Sequence, residues 1–97
     1  SFGWLDVIAF VENTENVANP ADANQLVTDL VTYMLPEDIS AERLDYFLNG
    51  ILLDGLSTEM WTLEWESYQT SGDDTAVRMQ IESLVRAIIQ SPEYQLM

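Results

Sequence analysis

Apolar residues recur at helical spacing through most of this 97-residue chain, and that spacing restricts the fold more than any other feature. Between Ala23 and Met34 the apolar positions follow steps of three and four residues, which places them on one face of a helix. No stretch alternates strictly between apolar and polar residues over the length of a strand. The pattern predicts an all-α fold, a small bundle of about four short helices joined by short loops.

Residues that favour helix starts divide the chain into segments. Asn19 precedes Pro20, so we expect Asn19 to cap the first long helix and Pro20 to occupy its first position. Pro36 ends that helix, because its ring excludes helical geometry at the residue before it. Ser40 is expected to cap the second helix. The apolar stripe of this second helix comprises Leu44, Phe47, Leu48 and Ile51.

The second helix ends either at Asn49-Gly50 or later, at Gly55. Ser57 opens a third helix, which ends near Gly72, and Asp73 or Asp74 caps the last long one. Its expected inner face consists of Val77, Ile81, Leu84, Val85 and Ile88.

Residues 1–18 form an N-terminal segment and linker in this interpretation. The apolar stretch from Trp4 to Val11 fits a short helix or a strand, and a polar run follows it up to Ala18. The whole chain, 1–97, is expected to be one helical domain, because its length allows only one modest core.

Charge is the second strong constraint. The chain has 17 acidic residues against three arginines, no lysine, and a net charge of −14. Such a surface repels nucleic-acid phosphates, so no nucleic acid is expected as a partner, and anionic membranes are disfavoured for the same reason. No apolar run approaches the length that spans a bilayer. The acidity fits a solvated surface that keeps the protein soluble. It fits equally a surface that docks to a basic partner or that binds cations loosely.

The residue types argue against catalysis. Cysteine and histidine are both absent, which removes thiolate chemistry and the commonest general base and metal ligand. The adjacent acids Glu37/Asp38 and Asp73/Asp74 stand where helices begin, and there negative charge is favoured. No calcium-loop, phosphate-loop or zinc pattern is present. We therefore expect no enzyme, no cofactor and no metal site.

Three aromatic residues provide the candidate surface. Trp61, Trp65 and Tyr68 stand at i, i+4 and i+7, so one helical face carries all three rings, with Glu64 and Glu66 interleaved. The rings could fill a groove between helices, since each tryptophan buries a large area. They could instead form a ligand platform, with the carboxylates binding the hydroxyls of a sugar, or a surface for a partner protein.

The C-terminal segment from Arg86 to Gln95 combines an apolar helix with a stop and a restart. Ser91 is expected to cap a final short turn, with Pro92 at its first position. Arg86 lies near the apolar stripe and is expected to pair with a carboxylate, such as that of Glu82 or Glu93. This turn directs Tyr94, Leu96 and Met97 back toward the bundle.

Three segments together resemble a known family. They are Asn19-Pro20-Ala21 with the helix after it, Leu35 to Ser40, and Arg86 to Gln95. Their order is similar to the C-terminal end of a large bacterial family known only as a domain of unknown function, number eighteen hundred. The resemblance implies a bacterial source, an exported or periplasmic parent protein, and a helical subdomain that packs on a part of the parent outside this chain. It implies no catalytic residues.

The sequence thus predicts a structural or protein-interaction module whose partner is another protein or the rest of a longer chain. This interpretation predicts a contiguous exposed apolar patch, and Trp61 or Trp65 is its expected member. Full burial of both rings, with no such patch elsewhere, would count against it. The alternative is a small-ligand or carbohydrate-binding module that uses the face of Trp61, Trp65 and Tyr68.

Overall fold

The computed structural model describes residues 5–96, which fold into six α-helices and one π-helix with no strand among them. These residues are 70% helical, and the predicted all-α fold is confirmed. Trp4 and Met97, which entered the sequence predictions, lie outside the described residues. The elements are α1 (Val7–Glu12), α2 (Ala23–Met34), α3 (Ala41–Asp45), the π-helix (Tyr46–Leu53), α4 (Thr58–Ser71), α5 (Thr75–Ile89) and α6 (Pro92–Gln95).

Serine side chains begin three of these helices. The hydroxyl oxygen of Ser40 accepts the N–H of Arg43 at 3.1 Å and thereby caps α3. Ser57 caps α4 in the same way. Ser91 caps α6, with Pro92 at the first helical position. In each case the side chain satisfies one of the amides that have no partner within the helix.

Helix α2 begins three residues later than the sequence indicates. The cap is Asp22, whose carboxylate accepts the N–H of Gln25 at 3.1 Å, and not Asn19. The side chain of Asn19 instead accepts the N–H of Ala21 at 3.2 Å, which closes a turn around Pro20. An asparagine that bonds to the backbone two residues on stabilises a turn, and this competes with capping.

The π-helix continues α3 without a break and was not predicted from the sequence. It is wider than an α-helix because its backbone bonds join residues five apart. Phe47 and Leu52, five residues apart, are accordingly both buried, as is Leu53. The expected partners Leu44, Leu48 and Ile51 are half-buried. Gly50 lies within the helix, which ends at Leu53 with Asp54 as its C-cap.

Helix α5 is the centre of the bundle and packs against α1, α2, the π-helix, α4 and α6. Its inner face, Val77, Ile81, Leu84, Val85 and Ile88, is fully buried, as the periodicity predicts. Each such side chain stabilises the fold by about 1.5–3 kcal/mol when it leaves water. Within residues 5–96 no helix combines the length and apolar character that crossing a membrane requires.

Candidate functional site

The predicted aromatic face of α4 points into the core. The side chains of Trp61 and Trp65 are 0% and 1% exposed, and their ring centroids are 6.3 Å apart. The indole N–H of Trp61 donates to the carbonyl oxygen of Pro20 at 2.8 Å, so the one polar atom of the ring is satisfied. The expected exposed patch therefore includes neither tryptophan.

Tyr68 completes this row at the edge of the core. Its ring meets that of Trp65 edge to face, with 5.2 Å between the centroids. Its hydroxyl donates to a carboxylate oxygen of Glu12 at 3.1 Å. Burial, followed by the hydrogen bond to Glu12 and the charge of Glu12, raises the pKa of the Tyr68 hydroxyl. The row attaches α4 to the N-terminal part of the chain. The buried tryptophan rings are not accessible to a sugar.

The acidic residues do not assemble a metal site within residues 5–96, where no group of three or more acidic side chains could hold an ion. The carboxylate of Asp73 accepts the hydroxyl of Thr75 at 2.7 Å and the N–H of Thr75 at 3.0 Å, and these two bonds lower the pKa of Asp73. Asp74 occupies the cap position of α5 but makes no cap bond, because its carboxylate binds Arg78 at 2.7 Å. These acids organise the start of α5.

An apolar groove of about 560 Å³ opens between α1, α2, α5 and α6. Every residue that lines it is aliphatic, aromatic or methionine. Core residues of α2 and α5 form its floor, and Phe10, Tyr33, Met34, Ile89 and Tyr94 lie around them, none of them fully buried. The Phe10 and Tyr33 rings meet edge to face at 4.9 Å, yet Tyr33 remains 63% exposed. This groove is an exposed apolar surface without a partner among the described residues.

A second cavity, of about 640 Å³, lies where the π-helix meets the last turns of α5 and the start of α6. Polar and apolar residues line it in similar measure, in contrast to the wholly apolar groove. Arg43 and Arg86, two of the three cations in the whole chain, both line it. Asp54 and Gln90 contribute further polar side chains, and we call this cavity the arginine pocket.

Arg43 is held rigidly in the arginine pocket. Its Nε and Nη2 atoms donate to the two carboxylate oxygens of Glu93 at 2.7 and 3.1 Å. The guanidinium carbon also lies 4.8 Å from the ring centroid of Tyr46 and 5.1 Å from that of Phe47. The hydrogen bond from Arg43 lowers the pKa of Glu93. The sequence predicts that Arg86 pairs with Glu82 or Glu93, whereas in the structure Glu93 pairs with Arg43.

Sequence reasoning missed Arg43, Asp54 and Tyr33. The scarcity of cations is the one signal that could have singled out Arg43, because each arginine in so acidic a chain attracts carboxylates. Gly55 entered the sequence analysis only as a possible end of the second helix, and Asp54-Gly55 is only a weak fragment of a calcium-loop pattern.

No family model, curated protein or solved structure matches this chain. The resemblance to the bacterial family of unknown function, and the expectation that the chain is not an enzyme, stay predictions.

Proposed function

We propose that this chain is a protein-interaction module whose apolar groove binds an amphipathic helical segment of a basic partner protein. The observation that carries the proposal is the groove itself, with Tyr33 63% exposed at its edge. Apolar grooves on a protein surface are among the places where proteins bind one another, and grooves between helices commonly receive the apolar face of another helix.

Charge selects the class of partner. The chain carries 17 acidic residues and three arginines. Arg43 is paired with Glu93, and Arg78 with Asp6 and Asp74, so these arginines are already matched internally. The remaining excess of carboxylates attracts a positively charged partner and speeds its encounter. A second copy of the chain is repelled by the same charge.

The acids near the groove fit this assignment. Glu37 and Asp38 are exposed and lie three and four residues beyond Met34, at the end of α2 that also carries Tyr33. Glu82 follows the groove residue Ile81 on α5 and is half-buried. A helix with an apolar face and flanking lysines or arginines would place its rings or aliphatic chains in the groove and its cations toward these carboxylates.

The test uses a synthetic amphipathic helix of leucine and lysine, about four turns long, labelled for fluorescence anisotropy. Tyr33→Glu places a charge at the groove and is expected to weaken binding of this peptide at least about tenfold. Leu63→Glu is the matched control. Leu63 is 65% exposed on α4, does not line the groove, and receives the same added charge. Its variant should bind the peptide as the unmodified chain does.

A peptide of the same composition in shuffled order separates groove binding from simple charge attraction. It should bind more weakly than the amphipathic peptide. Equal binding of the two peptides, or equal weakening by Tyr33→Glu and Leu63→Glu, would contradict the proposal. A dimer of the unmodified chain in sedimentation that Tyr33→Glu abolishes would assign the groove to a second copy. Peptide binding that appears only after residues 1–4 are deleted would assign it to the chain's own N-terminus.

A further inference from the structure

We propose that the ion pair between Arg43 and Glu93 positions Tyr94 at the edge of the apolar groove, and thereby sets how tightly the groove binds apolar ligands, its partner helix among them. Arg43 and Glu93 act as positioning residues, because neither lines the groove. This inference rests on the proposed function and identifies a contact that controls it. The four-residue helix α6 is the element through which the control acts.

Helix α6 lies between the arginine pocket and the apolar groove. Pro92 lines the arginine pocket, whereas Tyr94 lines the groove. The other residues that line the groove belong to α1, α2 and α5, apart from Leu5, which precedes α1. The orientation of α6 therefore determines where this side of the groove lies.

Local hydrogen bonds hold α6 only to the turn before it. A helix of one turn hardly repays the cost of its own nucleation, so α6 depends on contacts with the bundle. The hydroxyl of Ser91 donates to the carbonyl oxygen of Ile88 at 2.7 Å, and the side-chain amide of Gln95 donates to that of Ile89 at 2.8 Å. Both acceptors are at the end of α5, so these bonds do not attach α6 to α3 or the π-helix.

The ion pair attaches α6 to a distant part of the chain. Glu93 accepts hydrogen bonds from Nε and Nη2 of Arg43 at 2.7 and 3.1 Å, across a separation of 50 residues. Two parallel bonds between a guanidinium and a carboxylate fix orientation as well as distance. The guanidinium carbon lies 5.1 Å from the ring centroid of Phe47, which is fully buried. Through Arg43, α6 is therefore connected to the core.

Tyr94 follows Glu93 directly, so a change in the orientation of α6 moves its ring. The ring packs against the core but is only half-buried. When such a wall is held in place before a ligand arrives, the ligand does not lose affinity to ordering it. Loss of the ion pair should weaken binding for this reason, although no side chain that lines the groove is changed.

Positioning can be separated from general charge attraction. If Glu93 acted only as one more negative charge, its effect on a basic partner would follow the net charge of the chain. Removing the carboxylate of Glu93 and removing the guanidinium of Arg43 change the net charge in opposite directions, yet each substitution breaks the same pair. Positioning predicts that both weaken binding, whereas charge attraction predicts opposite effects.

The test measures two ligands against each variant. One is the leucine–lysine peptide, followed by fluorescence anisotropy, and the other is phenylnaphthylamine, an uncharged apolar dye that fluoresces in apolar sites. Glu93→Gln and Arg43→Gln should each weaken both ligands about fivefold. Glu42→Gln is the matched control, because it removes a carboxylate from the residue beside Arg43 on α3. It should leave the binding of the dye unchanged.

A double variant shows whether the pair acts through Tyr94. Tyr94→Ala alone should weaken both ligands about tenfold. Combined with Glu93→Gln, it should weaken them by the same factor and not by about fiftyfold, because two changes that act through one side chain do not add.

NMR of the free chain gives an independent signature. The ring signals of Tyr94 should shift in Glu93→Gln and in Arg43→Gln. The amide signals of Leu30 and Ile81, which line the groove from α2 and α5, should stay in place and show that each variant is folded.

Opposite effects of Glu93→Gln and Arg43→Gln on the peptide would overturn the inference in favour of charge attraction. Additive effects of Glu93→Gln and Tyr94→Ala, or Tyr94 ring signals that do not move, would overturn it as well. If the unmodified chain binds the dye but not the peptide, the proposed partner is wrong, and the dye series alone then supports or overturns the role of the ion pair.

Discussion

At the scale of single residues, the arginines tie distant parts of the chain together. Arg78 on α5 donates to Asp74 at 2.7 Å and to Asp6 at 3.1 Å, so it connects the start of α5 to the start of α1. Arg43 on α3 holds Glu93 on α6. Hydrogen bonding from the Ala9 amide, joined by the charge of Arg78, lowers the pKa of Asp6. The ion pairs therefore fix both terminal helices.

Glu93 offers a direct test of this role. Arg43 lowers its pKa below the ordinary value of 4.5, so the stabilisation is fully present above pH 4.5 and is lost as the pH falls through the lowered pKa. Glu93→Gln should reduce the free energy of unfolding by about 1 kcal/mol at neutral pH, because the pair is partly solvated. Urea denaturation across the acid range should show this difference closing.

Glu42→Gln is the control for Glu93→Gln, because Glu42 lies on α3 beside Arg43 but forms no ion pair within the described residues. It should leave the free energy of unfolding nearly unchanged at every pH. A gap between Glu93→Gln and the unmodified chain that persists at low pH would show that Glu93 acts through packing and not through its charge.

At the scale of secondary-structure elements, the sequence predicts correctly those helix starts that depend on a local hydrogen bond. The helix starts at Ser40, Ser57 and Ser91 depend only on a side chain and the amide three residues later. The prediction that Asn19 caps α2 was wrong because an asparagine side chain can stabilise a turn as well as a helix start, and here it stabilises a turn. The π-helix was missed because, over only eight residues, its wider spacing cannot be distinguished from an α-helical stripe.

The start of α2 can be tested with a pair of alanine variants. Asp22→Ala removes the bond to the Gln25 amide and should lower the free energy of unfolding by about 1 kcal/mol. Asn19→Ala removes a bond in an exposed turn and should cost roughly half as much. Urea denaturation measures both. The reverse order of effects would place the helix start at Pro20, as the sequence alone suggests.

At the scale of the whole molecule, the sites depend on contacts that no local pattern contains. The spacing of Trp61, Trp65 and Tyr68 showed correctly that they share a helical face, but Pro20 and Glu12, far away in the chain, determine that this face is inside. The groove brings α1 together with α2, α5 and α6. The arginine pocket joins the π-helix to the end of α5. Only the folded chain reveals either cavity.

The net charge also predicts how the stability of the molecule depends on salt. The described chain measures 40 × 30 × 22 Å, so at an ionic strength of about 0.01 M, where the screening length is about 30 Å, the acidic residues repel one another across the whole molecule. At about 0.15 M the screening length falls to about 8 Å and most of this repulsion is removed. Salt also weakens the ion pairs of Arg43 and Arg78, but such pairs contribute only about 0.2–1 kcal/mol each.

The loss of repulsion should therefore outweigh the loss of the ion pairs, and the Tm should rise by about 5 °C between about 0.01 and 0.5 M sodium chloride. Choline chloride at the same ionic strength should give the same rise, because screening depends on ionic strength and not on the identity of the cation. Scanning calorimetry measures both series. A Tm that falls with salt would show that the arginine pairs dominate the electrostatics of the fold. A rise with sodium alone would indicate specific cation binding in place of general screening.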